Sequence, residues 1–276
     1  MSAATKSAQD QVNAYFQSSS EYWKRIYETR ALLPLIYQTR QAAVLDWIAE
    51  LRLPASAKIL EIGCGAGMLT AELAGAGYCV EAVDAVVAMV ELTRQNALKH
   101  GVADRVTASL ADVHSLSFPS GEFDLVIAIG VIPWLHDEAL GLSEMQRVLK
   151  PGGRLIVTAD NEWRLVRLLD PAASPVTRPM RNVLKALLRS IGLYDLSQGL
   201  AVKMHTPLQI RRLFERAGLK EVDSKCVGFG PFTLFGRAVV PEKAGIAIHM
   251  QMQALADRRI PPFRLTGSHY LSLAWK

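Results

Sequence analysis

An apolar run that ends in a carboxylate and opens at once onto three alternate glycines leaves this chain few folds to choose from. It reads Lys58-Ile59-Leu60-Glu61-Ile62-Gly63-Cys64-Gly65-Ala66-Gly67. Glycine at 63, 65 and 67 removes three side chains from a tight strand-to-helix turn, so the backbone can bend sharply and a ligand can lie against it. The helix expected next, Met68 to Ala76, points its positive end at that ligand. A pyrophosphate-binding turn has the form G-x-G-x-x-G, and Met68 breaks that spacing, which disfavours NAD. Asp84 ends the next apolar run, Cys79 to Val83, about the 20 residues downstream at which such folds set a carboxylate on ribose hydroxyls. These residues ask for a ribose without a pyrophosphate.

From Lys58 onward apolar runs alternate with helical periodicity: Ile59 to Ile62, Met68 to Ala76, Val80 to Val83, Val86 to Lys99, then Val106 to Leu110. Such alternation predicts a parallel sheet with crossover helices on both faces. Asp112 follows the third strand and so falls on the same edge as Asp84 and the glycine turn; as a lone residue it would equally cap a helix or a turn. Phe123 to Gly130 is apolar nearly throughout, as a strand buried on both faces must be. After a helix from Glu138 to Leu149, the run Leu149-Lys150-Pro151-Gly152-Gly153 stops the helix and turns the chain into a fifth strand. Thr206 and Pro207 begin a further helix, Glu221 to Phe229 forms a sixth strand, and His269 to Trp275 closes the sheet.

On these residues the chain resembles the class I S-adenosylmethionine-dependent methyltransferases, and within them the small-molecule branch typified by ubiquinone and menaquinone biosynthesis. Their first motif, E-x-G-x-G-x-G, is present as Glu61 to Gly67, and their Leu-Lys-Pro-Gly-Gly signature as Leu149 to Gly153. The resemblance implies an α/β, Rossmann-like, doubly wound sheet of seven strands, strand 7 antiparallel between 5 and 6. It implies S-adenosyl-L-methionine as cofactor, held by Glu61, Gly63, Cys64, Gly65, Gly67, Asp84, Ala85, Asp112, Val113 and Ile129, with Asp112 and Val113 at the adenine. It further implies a helical lid over residues 1–53, whose Tyr15, Phe16, Trp23 and Tyr27 face the site, although the same aromatics would also serve as plain core packing. The methyltransferase domain then occupies 54–276. This chain departs from the pattern where strands 6 and 7 are normally joined by a short hairpin, since Gly230 to Gly267 intervenes. Helical cover insertions are expected over 160–205 and 230–267, and these would surround the site.

Acceptor chemistry is less determined. Enzymes of this family that methylate base amines carry an Asn or Asp-Pro-Pro-aromatic tetrad after strand 4, and Gly130-Val131-Ile132-Pro133-Trp134 is no such tetrad. An apolar loop there favours a small, fairly apolar acceptor; methylation is expected at a hydroxyl oxygen, and no nucleic-acid partner is expected. The formal charge of +5 over 276 residues reads as a solvated basic surface. An RNA or protein methyltransferase, and a non-catalytic binding or scaffold protein, stand as alternatives. If a general base is used, His136 beside the donor is the first candidate and His205 the second, each otherwise a loop or capping residue. No metal-ligand spacing is present, and three cysteines at unrelated spacings suit a reducing, cytoplasmic setting. The stripe Met180, Val183, Leu184, Leu187, Leu188, Ile191, opposed by Arg181, Lys185 and Arg189, predicts a basic amphipathic helix over 180–191. Such a helix can cover the substrate or make peripheral contact with a membrane. Oligomeric state is not encoded in any of these patterns.

Overall fold

The computed structural model describes residues 8–19, 22, 23, 26, 29–190 and 202–276. Helices α1 (Ala8–Ser18) and α2 (Leu32–Leu51) come first. A βαβ series follows: β1 (Lys58–Ile62), α3 (Met68–Gly75), β2 (Cys79–Asp84), α4 (Val87–Lys99), β3 (Val106–Leu110) and β4 (Phe123–Ala128). Helix α5 (Glu138–Val148) then leads directly into β5 (Leu149–Asp160). The first insertion holds α6 (Leu165–Leu169) and α7 (Arg178–Ser190). After α8 (Pro207–Arg216) and β6 (Lys220–Val227) comes the second insertion. It contains β7 (Thr233–Leu234), β8 (Arg237–Ala238), α9 (Glu242–Asp257) and α10 (Phe263–Thr266), before β9 (His269–Trp275) ends the sheet.

The seven-stranded sheet has the order β3-β2-β1-β4-β5-β9-β6. Strand β1 pairs in parallel with both β2 and β4, so strand order reverses there and a crevice opens at the carboxyl edge. Strand β9 runs antiparallel between β5 and β6, as expected for the closing strand. Successive side chains leave a strand on opposite faces, and the core divides accordingly. Leu60, Ile62, Val126 and Ala128 face one cluster with Leu142 and Phe214, while Ile59, Leu125 and Ile127 face another with Leu69 and Leu73.

Two expectations change. The segment 1–53 is not a uniform cover: Val44, Trp47 and Ile48 of α2 sit inside the second core cluster, while α1, Trp23 and the residues Tyr37, Arg40 and Gln41 of α2 line the crevice. Pro151, Gly152 and Gly153 do not precede the fifth strand but bulge it. Leu149 already pairs with Phe123, and register resumes at Leu125 with Arg154. A Cβ at Gly153 would come within 2.9 Å of the Lys150 carbonyl, so the bulge tolerates no side chain there. Thr206 and Pro207 act as read: the Thr206 hydroxyl accepts from the Gln209 N–H and the Gln209 side chain returns the bond, forming a capping box.

The two insertions are tied together by one carboxylate. Asp170, after α6, accepts from the Thr233 hydroxyl and from the backbone N–H groups of Phe235 and Gly236 in the β7–β8 hairpin. That hairpin has no counterpart in the periodicity of the sequence, because two-residue strands leave no alternation to read. Among the described residues no helix is long and apolar enough to cross a membrane.

Candidate active site

A cavity of about 230 Å³ opens at the β1/β4 reversal point, lined by the glycine turn, the ends of β2 to β5, and residues of α1 and α2. Gly63, Gly65 and Gly67 all have positive φ, at 70°, 55° and 74°. Their reasons differ. A Cβ on Gly63 would stand 2.5 Å from Val131 of the loop after β4, whereas one on Gly65 meets nothing within 4 Å and would only occupy ligand space. Gly67 does not line the cavity; a Cβ there would meet the Thr93 Cα at 2.8 Å, so this glycine lets α4 approach the turn. Cys64 is buried, its thiol accepting from the Thr93 hydroxyl at 3.3 Å, and burial, with Asp84 and Glu61 nearby, pushes its pKa well up. It packs rather than reacts.

Three carboxylates line the glycine-turn end of the cavity. Glu61 is buried on β1 with the Thr70 hydroxyl as its partner. Burial pushes its pKa up to about 8 against the pull of that bond, and Asp84 adds to the rise. Asp84 ends β2; one carboxylate oxygen accepts from Gly65 N–H and the other from Val86 N–H, each at 3.0 Å. Burial raises its pKa while those bonds counter the rise. Each oxygen keeps lone pairs directed elsewhere, and two adjacent acceptors suit the two hydroxyls of a ribose. Asp112 is half exposed; its Oδ1 takes both the backbone N–H of His114, at 2.9 Å, and the ring Nδ1, at 2.7 Å. Partial burial would raise its pKa, but the His114 bonds outweigh it and leave the carboxylate below its ordinary value. Ala85, Val113 and Ile129 complete the lining at this end.

The other expected residues fall less neatly. Phe16 and Trp23 line the cavity, and Tyr27 lies outside the described residues. Tyr15 does not line it: 38% exposed, it stacks on Trp134 with ring centroids 5.9 Å apart and so backs the wall from outside. His136 is exposed, stacked on His114 at 3.7 Å and 3.3 Å from Gln9, and is not a cavity residue. The loop after β4 turns at Trp134 and Leu135, so these, not His136, face inward. His205 is buried with its Nε2 3.2 Å from Glu138, and it lines a separate surface cleft with Lys203 and Arg212. Neither histidine is placed to reach a reacting group in the cavity.

Four residues in the cavity carry no motif. Arg40 projects from α2 and is 93% buried, since only 7% is exposed; its Nε has no partner and its guanidinium lies 4.8 Å above the Tyr37 ring. Asp160 is a carboxylate of the same cavity whose pKa Arg40 lowers, but among the described residues no carboxylate pairs with the guanidinium directly, and a buried cation so placed suits a ligand carboxylate. Asp160 ends β5 and His269 begins β9, and both line the cavity beside Tyr37. A signal for His269 exists in strand polarity. An antiparallel strand brings its first residue to the edge where its parallel neighbours end, and Asp160 indeed pairs with His269.

The edge therefore reads as a ruler. With strands about 4.8 Å apart, the run from β3 to β9 spans roughly 24 Å, Asp112 at one end and His269 at the other. Residues 60–157 match the profile of the methyltransferase domain. The chain is 39% identical over 107 residues to the ubiquinone/menaquinone biosynthesis C-methyltransferase UbiE of Hahella chejuensis, covering 37% of this chain and 43% of that one. It is 30% identical over 176 residues to a ubiquinone biosynthesis O-methyltransferase of Chelativorans sp., covering 64% of each. Both matches span less than two thirds of the relative's length. Among solved structures, magnesium protoporphyrin IX methyltransferase of Synechocystis PCC 6803, crystallised with bound SAH, superposes with a TM-score of 0.65. It is 18% identical, covering 98% of this chain and 99% of that one, and attests the fold. The profile match covers the segment that carries the glycine turn, Asp84, Asp112 and β4, and the sheet order and the solved structure agree with it in fold.

Proposed function

We propose that the chain is a methyltransferase that moves the methyl group of S-adenosylmethionine onto a hydroxyl oxygen of a small, fairly apolar metabolite. One observation carries the reading: a single cavity joins the three carboxylates and bare glycine backbone of β1 to β3 to a wall of Phe16, Trp23, Tyr37 and Trp134. The residues present fit the donor. Asp84 takes the ribose, the oxygen of Asp112 not held by His114 takes the adenine amine, Arg40 takes the carboxylate, and Glu61 answers the positive charges. S-adenosylmethionine, when bound, supplies a methyl group already activated by a positive sulfur. The protein's part is to align an acceptor with that group and to exclude water, and the aromatic walls and α1 do both. The similarity to an O-methyltransferase of ubiquinone biosynthesis and a C-methyltransferase of ubiquinone/menaquinone biosynthesis supports an apolar small-molecule acceptor. Such an acceptor partitions into lipid, and Met180 and Val183, exposed on the basic α7, suit peripheral contact with a membrane surface.

Labelled S-adenosylmethionine incubated with the small-molecule, lipid and RNA fractions of a lysate tests the reading. Label is expected in the small-molecule or lipid fraction; label confined to RNA or to protein refutes it. Calorimetry with S-adenosylhomocysteine should show binding that collapses in Asp84→Ala, and unchanged affinity there would refute the ribose assignment.

A further inference from the structure

The cavity continues past the strands that carry the donor motif, and its far end holds polar groups with no partners. Asp160 Oδ1 stands 3.6 Å from His269 Nε2, just beyond hydrogen-bonding reach. Among the described residues no donor bonds the Asp160 carboxylate, although only 23% of that side chain is exposed. His269 Nδ1 is buried and turned toward the backbone at Gly228, where an added Cβ would stand 3.6 Å away, so Nε2 is the nitrogen that addresses the carboxylate. Trp23 lines the same cavity, and among the described residues its buried indole N–H has no acceptor. The rings are contiguous: Trp23 meets Tyr37 edge-on at 5.7 Å, and Tyr37 packs on His269 at 5.6 Å.

An N–H donor and two acceptors set along one aromatic wall, with Tyr37 between them, complement a group or groups that both give and take hydrogen bonds. A hydroxyl does both; a hydrocarbon or an ether cannot. Position along the sheet edge agrees. If the donor's nucleoside lies over β3 and β2 and its sulfur near β1 and β4, the next strands, β5 and β9, face whatever receives the methyl group. We propose that Asp160 and His269 form the acceptor subsite, holding the acceptor hydroxyl and taking its proton. This rests on the methyltransferase reading above. An oxygen lone pair forms the bond to the methyl carbon, the carbon–sulfur bond breaks with its electron pair left on sulfur, and the O–H proton passes to the Asp160–His269 pair and on to water.

The charges facing the pair keep it in the form this needs. Burial raises the Asp160 pKa, and Arg164, Arg40 and His205 around it oppose the rise. Burial holds His269 well below the ordinary imidazole value, and Arg40 and Arg164 push it the same way. Near neutral pH the histidine is uncharged and can accept.

Two experiments test the proposal. In the first, protein loaded with S-adenosylhomocysteine and labelled with nitrogen-15 at histidine is titrated with phenol and, separately, with toluene. The His269 Nε2 resonance is expected to shift with phenol and hold still with toluene; equal response to both, or none to either, overturns the proposal. In the second, the acceptor identified by label transfer is used with Asp160→Asn and His269→Gln, and with His269→Asn should the glutamine variant fail to fold. Each is expected to lower kcat by roughly 10²-fold with KM little changed. The acid limb of the wild-type pH profile, expected below pH 6.5, should move in both. S-adenosylhomocysteine affinity should match the wild type, which shows the donor end intact. Wild-type turnover and an unmoved acid limb in both variants overturn the subsite while leaving the methyltransferase reading standing. A wild type that binds S-adenosylhomocysteine yet labels no fraction overturns that reading and the subsite with it.

Discussion

Glu61 makes the folded protein sensitive to pH in a direction opposite to most carboxylates. Its pKa rises from 4.5 to about 8 on burial, so between those values the folded chain binds a proton that the unfolded chain releases. The sign follows: the contribution to stability is full below pH 4.5 and is lost as pH rises through about 8. At 1.36 kcal/mol per pKa unit the whole swing is roughly 5 kcal/mol, of which roughly 2–3 kcal/mol falls between about pH 5 and pH 7. Glu61→Gln keeps an acceptor for the Thr70 hydroxyl and removes the titration. Urea unfolding of both proteins across this range, read as the difference between them, isolates Glu61 from Asp84, which burial also raises. The variant should gain on the wild type steadily as pH rises. Binding adds a second reading. A donor that brings positive charge beside Glu61 favours its ionised form, so near pH 7 wild type should release about one proton on binding, seen by calorimetry in two buffers of different ionisation enthalpy. The glutamine variant should release none from this site. Parallel stability curves for the two proteins, or equal proton release, would refute the account of Glu61.

Gly67→Ala combines a left-handed backbone with a 2.8 Å approach to the Thr93 Cα, and should cost roughly 2–4 kcal/mol by urea unfolding; a neutral result would show that α4 can move away. Arg40→Leu should weaken S-adenosylhomocysteine binding roughly ten- to hundredfold, yet change the thermal midpoint of the ligand-free protein little, because among the described residues the guanidinium makes no direct ion pair and only offsets Asp160 across the cavity. His136→Ala should leave kcat within a few-fold of wild type, since the ring lies outside the cavity against His114. Thr206→Ala should cost about 1 kcal/mol of stability through loss of the capping box, with donor binding unaffected.

What could be read in advance follows from how local the determinants are. Glu61 to Gly67, Asp84 and Asp112 lie at the ends of consecutive parallel strands, and a parallel strand announces itself as an apolar run with its functional residue one or two positions past the end. Their place on a common edge was therefore legible without coordinates. Boundaries slipped where pairing begins before periodicity does, as at Leu149, and where strands are too short to alternate, as at Thr233 and Leu234. The histidines show the limit best. His136 looked well placed because it follows β4, but the short helical turn at Ile132–Trp134 directs Trp134 and Leu135 inward and leaves His136 outside. His269 carries no such signal because it begins its strand instead of ending it, and only the antiparallel sense of β9 makes the position equivalent to the end of β5.

The two ends of the cavity are built by different rules, and that difference bears on how an acceptor could change without loss of the donor. The end proposed for the donor uses residues 61–131, contiguous in sequence, and relies on bare backbone and short carboxylates whose positions are set by strand register. Any shift in that register moves all of them together, so single substitutions there act on binding and folding at once. The end proposed for the acceptor draws Phe16 and Trp23 from before α2, Tyr37 from α2, and Asp160 and His269 from strands separated by both insertions. Each is held by a different element, and most meet through side-chain rings rather than ladder hydrogen bonds. A change in one leaves the others where they are, and the clamp at Asp170 keeps the insertions joined while their surfaces vary. Asp170→Asn, which weakens that clamp without touching the cavity, should speed proteolysis within 230–240 while leaving S-adenosylhomocysteine affinity at the wild-type value. A parallel loss of affinity would mean that the insertions help to shape the donor end as well.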